Sequence, residues 1–230
     1  SMAMVVLGRN STVGVTVDDI IHHTAPVVLG APQTFVIGDM PFGSYNVSVE
    51  QAIESANRIL METNCDAVKL EGGKDMAPAV ESMVKAGISV VGHIGLTPQT
   101  SVSFGGFKVQ GGTPESAVAL IEDAKALEAA GAIGIVVECV PSVVAKAMTE
   151  AVSIPIMGIG AGPDVDAQVM VTQDLLGMYG DFKPKFVKHF ANIREEMIKG
   201  LNEFHTESLS GAFPTPEFSF NKAIELPRVY

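Results

Sequence analysis

Cysteine is scarce in this chain of 230 residues. Cys65 and Cys139 are the two present, and no CxxC pair exists. That argues against a metal–thiolate site and fits a reducing compartment, so a cytoplasmic location is expected. Charge is scarce too, with 18% of residues charged against 47% hydrophobic. No apolar run approaches the ~18 residues that span a bilayer. The apolar excess, with a mean hydropathy of +0.31, is therefore expected in strands buried on both faces, in subunit interfaces, or in both. Basic clusters are missing. The formal net charge is −11 and the pI is near 4.8, which makes nucleic acid and anionic membrane poor partners. The opening SMAMVVLGRN has no basic start and does not read as a signal peptide. There is no sequence repeat, low-complexity tract or linker.

What is present is an alternation of strand-like and helix-like segments. The strand candidates are TFVIGD (34–39), DAVKLE (66–71), ISVVGH (88–93), AIGIVVE (132–138), IPIMGIG (154–160) and QVMVTQD (168–174). Most are near-continuous apolar runs, as parallel strands covered on both faces should be. Helical stretches lie between several of them. Ser48 with Gln51 suggests a capping box before QAIESANRILMETN. Asp75 is placed to cap MAPAVESMVKAG, with Gly87 as its stop. Thr113 and Pro114 open a helix that ends at Gly131, and residues 141–152 form another. Strands alternating with helices in this way point to a parallel sheet or a (β/α) barrel. A (β/α)8 TIM barrel needs eight strands and about 250 residues. Residues 1–33 offer only MVVLG and a helix, TVDDIIHHTAPVV. The expectation is a single α/β barrel domain over residues 1–208 that lacks its first two strands. The Pro- and Phe-rich tail, 209–230, reads as an extended arm on a neighbour or as a loosely ordered terminus.

Ionisable residues close four of the strands: Asp39, Glu71, His93 and Glu138. Lys69 shares a strand face with Glu71, because side chains two apart point the same way. Each residue has a plain structural reading. Asp39 before MPFG is a turn former, and Lys69 and Glu71 are an internal ion pair. His93 is a core histidine bonded to a carbonyl, and Glu138 is a cap for the helix beginning at Pro141. Together, however, so much buried charge is costly unless used. Carboxylates suit Mg2+, which keeps waters and needs one or two acids. A lysine beside them can hold a substrate carboxylate or oxyanion. Glu138, inside GIVVECV, is expected to have a carboxyl raised by desolvation and to serve as a general base. Such a set describes proton abstraction next to a carbonyl. GIGAG (158–162) matches no phosphate-loop pattern and reads as a close backbone turn.

The segments DMPFGSY, VKLEGG, GHIGLTPQ, GGFKVQG, ALEAAGA, VVECVP, IPIMGIGAG and DLLGM occur in this order. Over roughly residues 1–205 the chain resembles the ketopantoate hydroxymethyltransferase family. The resemblance implies a TIM barrel of the phosphoenolpyruvate/pyruvate type that assembles as a decamer. It also implies transfer of a hydroxymethyl group from 5,10-methylenetetrahydrofolate to 3-methyl-2-oxobutanoate. The product is 2-dehydropantoate, formed through a magnesium-stabilised enolate in pantothenate and coenzyme A biosynthesis. By resemblance, Glu138 is the base that removes the C3 proton. Asp39 is a metal ligand that also lies against the substrate, Glu71 is the second metal-site acid, and Lys69 binds the substrate. His93 lies near it. Ser1 stands where the family has the Ser of a GDS motif, whose Asp is a principal Mg2+ ligand and would precede Ser1. A preceding segment with two strands is therefore expected; a chain that truly began at Ser1 would bind Mg2+ weakly. Arg9-Asn10 replaces the family's usual His-Asp. Two alternatives stand beside this reading. One is a related Mg2+-dependent 2-oxo-acid lyase or mutase of the same superfamily. The other is a non-catalytic, ring-forming barrel protein.

Overall fold

In the computed structural model, residues 1–179 and 183–225 are described. The chain divides into two compact units, Ser1–Val171 and Thr172–Tyr230. The first unit holds every described strand: β1 (Ile37–Asp39), β2 (Ala67–Glu71), β3 (Val90–Gly95), β4 (Gly134–Glu138), β5 (Ile156–Ile159) and β6 (Ala167–Gln168). All pair in parallel, and their order in the sheet is their order in the chain. A doubly wound sheet reverses its strand order at a switch point. A (β/α) barrel does not, so this six-stranded sheet is of the barrel type. Its helices are α1 (Met2–Val5), α2 (Val17–Gly30), α3 (Val49–Thr63), α4 (Ala77–Lys85), α5 (Pro114–Ala129) and α6 (Ser142–Ala151).

Local chemistry explains where these helices begin. The Thr16 hydroxyl accepts from Asp19 N–H while the Asp19 carboxylate accepts from Thr16 N–H, which caps α2 twice. Thr113 and Ser116 form the same reciprocal cap on α5, with Pro114 at its first position. Ser48 accepts from Gln51 N–H to start α3, but the Gln51 side chain returns to Val47 N–H rather than to Ser48. Asp75 caps nothing: it lies inside a 3-10 turn, Lys74–Met76, and α4 starts at Met76 without a side-chain cap. The Lys74 N–H in that turn is instead taken by Asp123.

Three strand or helix expectations change. MVVLG lies in and after the short helix α1, not in a strand. QVMVTQD pairs with β5 only at its start, and Thr172 begins α7 (Thr172–Leu175) in the second unit. β5 runs into the GIGAG turn, where Gly162 has φ +85 and packs against Ser142. The ladder available to β6 therefore ends with the Val169 N–H donated to Gly158. The second unit also carries α8 (Ile193–Ser210), which the sequence pattern did not reveal.

The core lies between the sheet and its helices. Val68, Leu70, Val90, Ile135 and Val137 point into it and are essentially inaccessible. A Cβ on Gly38 would meet Ile59 of α3, and one on Gly92 would meet Leu127 of α5. Alternation then puts Asp39, Lys69, Glu71, His93 and Glu138 on the opposite face, away from the helices.

Candidate active site

The register levels these side chains. Asp39 lies opposite Lys69, Glu71 opposite His93, and Gly95 opposite Glu138. The result is a connected polar cluster at the carboxyl ends of β1–β4. Lys69 Nζ is 2.7 Å from Asp39 Oδ1 and 3.3 Å from His93 Nδ1. His93 Nδ1 is 3.6 Å from Glu71 Oε1, and His93 Nε2 is 3.2 Å from Glu138 Oε2. The histidine thus bridges the two glutamates. It is not simply a core histidine bonded to a carbonyl. Lys69 pairs most closely with Asp39, and Glu138 does not cap α6, whose N-terminal residue Pro141 has no side-chain cap.

Two atoms in the cluster are close to a partner yet badly aimed. Asp39 Oδ1 and His93 Nε2 are buried without a well-formed hydrogen bond. Their ion-pair distances are short, but short distance without alignment leaves hydrogen-bonding capacity unused. Such unused capacity in a buried polar cluster marks a place where another group can bind.

The charges are held by one another. Burial works against the Lys69 ammonium, but Asp39, Glu71 and Glu138 around it outweigh that cost and hold its pKa above the usual lysine value. Glu71 goes the other way. Burial pushes its carboxyl up, and Lys69, His93 and the Gln99 N–H only partly offset this. The most deeply buried acid is therefore Glu71, whose side chain is 4% exposed against 16% for Glu138.

Two further residues belong to the site and were not singled out from the sequence. Tyr45 and Gln99 are both buried. Gln99 N–H donates to Glu71 Oε2 at 2.9 Å. The Tyr45 hydroxyl donates to Gln99 Oε1 at 2.7 Å and accepts from Glu71 N–H at 3.3 Å. Both sit inside the quoted motifs DMPFGSY and GHIGLTPQ. Ser1, by contrast, is exposed at the start of α1 and makes no side-chain hydrogen bond among the described residues.

Among the described residues, no group of three or more His, Cys, Asp and Glu converges on one point as a ready-made metal cage. The donors still fit Mg2+ in kind. It is a hard ion that retains waters and is commonly held by one or two carboxylates. Asp39 and Glu71 supply two, and Asp39 Oδ1 has an unused lone pair.

A parallel sheet in chain order, with ionisable groups crowded at its strand carboxyl ends on the helix-free face, defines an α/β enzyme of the barrel type. Residues 1–216 match the model of the family described as ketopantoate hydroxymethyltransferase, and the chain belongs to that family. It is 56% identical over 230 residues to the 3-methyl-2-oxobutanoate hydroxymethyltransferase of Heliobacterium modesticaldum, spanning all of this chain and 83% of that one. It is 49% identical over 231 residues to the enzyme of the same name from Clostridioides difficile, spanning all of this chain and 84% of that one. Among solved structures it is similar to 2,3-dimethylmalate lyase, a PEP mutase/isocitrate lyase superfamily member. The TM-score is 0.51 at 14% identity, covering 94% of this chain and 75% of that one. At that identity the likeness concerns the fold alone.

Proposed function

We propose that the chain transfers a hydroxymethyl group from 5,10-methylenetetrahydrofolate to 3-methyl-2-oxobutanoate, giving 2-dehydropantoate for pantothenate and coenzyme A biosynthesis. Within the family established above, the observation that carries the reading is the cluster of Lys69, Glu71, His93 and Glu138 on one face. It combines a held positive charge, paired at 2.7 Å with Asp39, and a separate acid, Glu138, that lies 3.2 Å from His93.

Asp39 and Glu71 are assigned to Mg2+. When bound, that ion supplies positive charge beside the 2-oxo group and makes the adjacent C3–H more acidic. Lys69, kept cationic by its acidic neighbours, faces the substrate carboxylate or the developing oxyanion. Asp39 lies against the substrate beside it, and Ser1 is assigned a substrate contact by family resemblance. Glu138 takes the C3 proton. His93 lies 3.2 Å from Glu138 Oε2 and is assigned a substrate contact by family resemblance. The C3 carbon then bonds to the one-carbon unit of the folate, and water supplies its hydroxyl. Both C–N bonds of that unit break, and tetrahydrofolate leaves with its two nitrogens protonated, one proton from C3 by way of Glu138 and one from water. The two free cysteines fit a cytoplasmic setting. The protein is assigned a homodecameric state on the same family ground.

The base is tested with Glu138→Gln. Deuterium exchange at substrate C3, followed by NMR, should slow by about 10²–10⁴-fold while substrate still binds. Exchange at the wild-type rate would overturn the assignment. Folate-dependent turnover of 3-methyl-2-oxobutanoate is expected in the wild type. Carbon–carbon cleavage of a 2-methylisocitrate-like substrate in its place would point to a lyase.

A further inference from the structure

Tyr45 and Gln99 tie together three segments that share no local sequence. The Gln99 amide is pinned at both ends: its nitrogen donates to Met40 carbonyl at 2.9 Å and its oxygen accepts from Tyr45 at 2.7 Å. Met40 directly follows Asp39, and its own N–H donates to the Lys69 carbonyl at 2.9 Å. On the other side, Gln99 N–H holds the Glu71 carboxylate, and Tyr45 holds the Glu71 N–H. Tyr45 is 2% exposed and Gln99 8%. The network therefore spans the chain ends of β1 and β2, the two strands that carry Asp39 and Glu71.

We propose that Tyr45 and Gln99 are a positioning pair that fixes the separation and orientation of Asp39 and Glu71 for a divalent cation. The inference rests on the assignment of those two carboxylates to Mg2+ above. A buried network of this kind, satisfied at every member, is stiff. Residues that orient ligands from behind change metal affinity about 10–100-fold when removed. Neither side chain is needed to touch the ion or the substrate.

The test uses the whole protein and Mn2+ as a probe for Mg2+, with affinity read by electron paramagnetic resonance and fold by the thermal transition. Tyr45→Phe keeps the ring and removes one hydroxyl. Gln99→Met keeps the side-chain length and removes the amide, and it serves if Tyr45→Phe does not fold. Each is expected to weaken Mn2+ binding about tenfold or more while still unfolding in one cooperative transition. The double variant should lose little beyond either single change, because the two act as one unit. Mn2+ affinity within twofold of wild type, with only a lowered Tm, would make the pair purely structural and overturn the proposal. Wild-type protein that binds no Mn2+ would overturn the carboxylate assignment itself, a separate failure. Wild-type protein that binds while the variants bind equally well would remove only the role of the pair.

Discussion

Glu138 is aimed by backbone on both sides of it. The next residue, Cys139, sits at φ +49, a conformation a non-glycine residue seldom adopts. It is held there because Cys139 N–H donates to Ile159 and its carbonyl accepts from Gln110 N–H, both at 2.9 Å. Across the sheet, Gly95 has φ +88, and a Cβ there would overlap the Glu138 carbonyl oxygen. Gly95→Ala is therefore expected to lower stability by roughly 2–4 kcal/mol, combining left-handed strain and overlap. Urea unfolding measures it, and a loss under about 0.5 kcal/mol would refute the account. The Cys139 thiol is pushed up to about 11, first by burial and then by the charge of Glu138. Below that pH it stays protonated. At pH 8 its alkylation by iodoacetamide should be roughly a hundredfold slower than that of a free thiol of pKa ~8.5. Peptide mapping separates it from the buried Cys65. The ionisable residues of the site were readable in the sequence because charge in an apolar strand stands out, and alternation assigns its face. Tyr45 and Gln99 were not. Their partners lie 26 to 59 residues away, and no local pattern records a hydrogen bond over that distance.

β1 to β5 were readable for a related reason. A strand buried on both faces needs apolar residues at successive positions, and such runs are bounded by turn signals. β2 shows what the two faces do. Leu70 points into the helix-side core and is inaccessible, whereas its neighbours Lys69 and Glu71 face the site. Leu70→Ala should cost about 2–5 kcal/mol of stability without displacing either charge. In urea unfolding the midpoint drops, while kcat of the remaining folded protein stays near wild type. A kcat loss equal to that of a Lys69 variant would show that the faces are not independent. The failures were at elements whose fate depends on a partner. Val169 and Val171 favour a strand by type, but β5 ends in its glycine turn and offers no further ladder. α8 was missed because it buries none of its residues, so no apolar stripe against a core marks it.

Taken over the whole chain, apolar surface and net charge oppose each other. Leu29, Met61 and Val102 are large apolar side chains left mostly exposed. β1 and β6 each pair on one side only among the described residues. Exposed apolar area favours association. A net charge of −11 per chain resists it by mutual repulsion. If burial wins, the protein is an oligomer whose stability rises when salt screens that repulsion. If charge wins, it is a monomer at low salt. At about 0.15 M salt the Debye length is ~8 Å, so repulsion between exposed carboxylates on neighbouring subunits is already weakened. Sedimentation is therefore expected to find a particle well above the mass of one chain, close to ten times that mass for the proposed decamer. Raising salt tenfold should leave that particle intact, because its contacts are apolar. A single-chain species at micromolar protein, or dissociation on adding salt, would show that charge pairing or no assembly at all governs this surface.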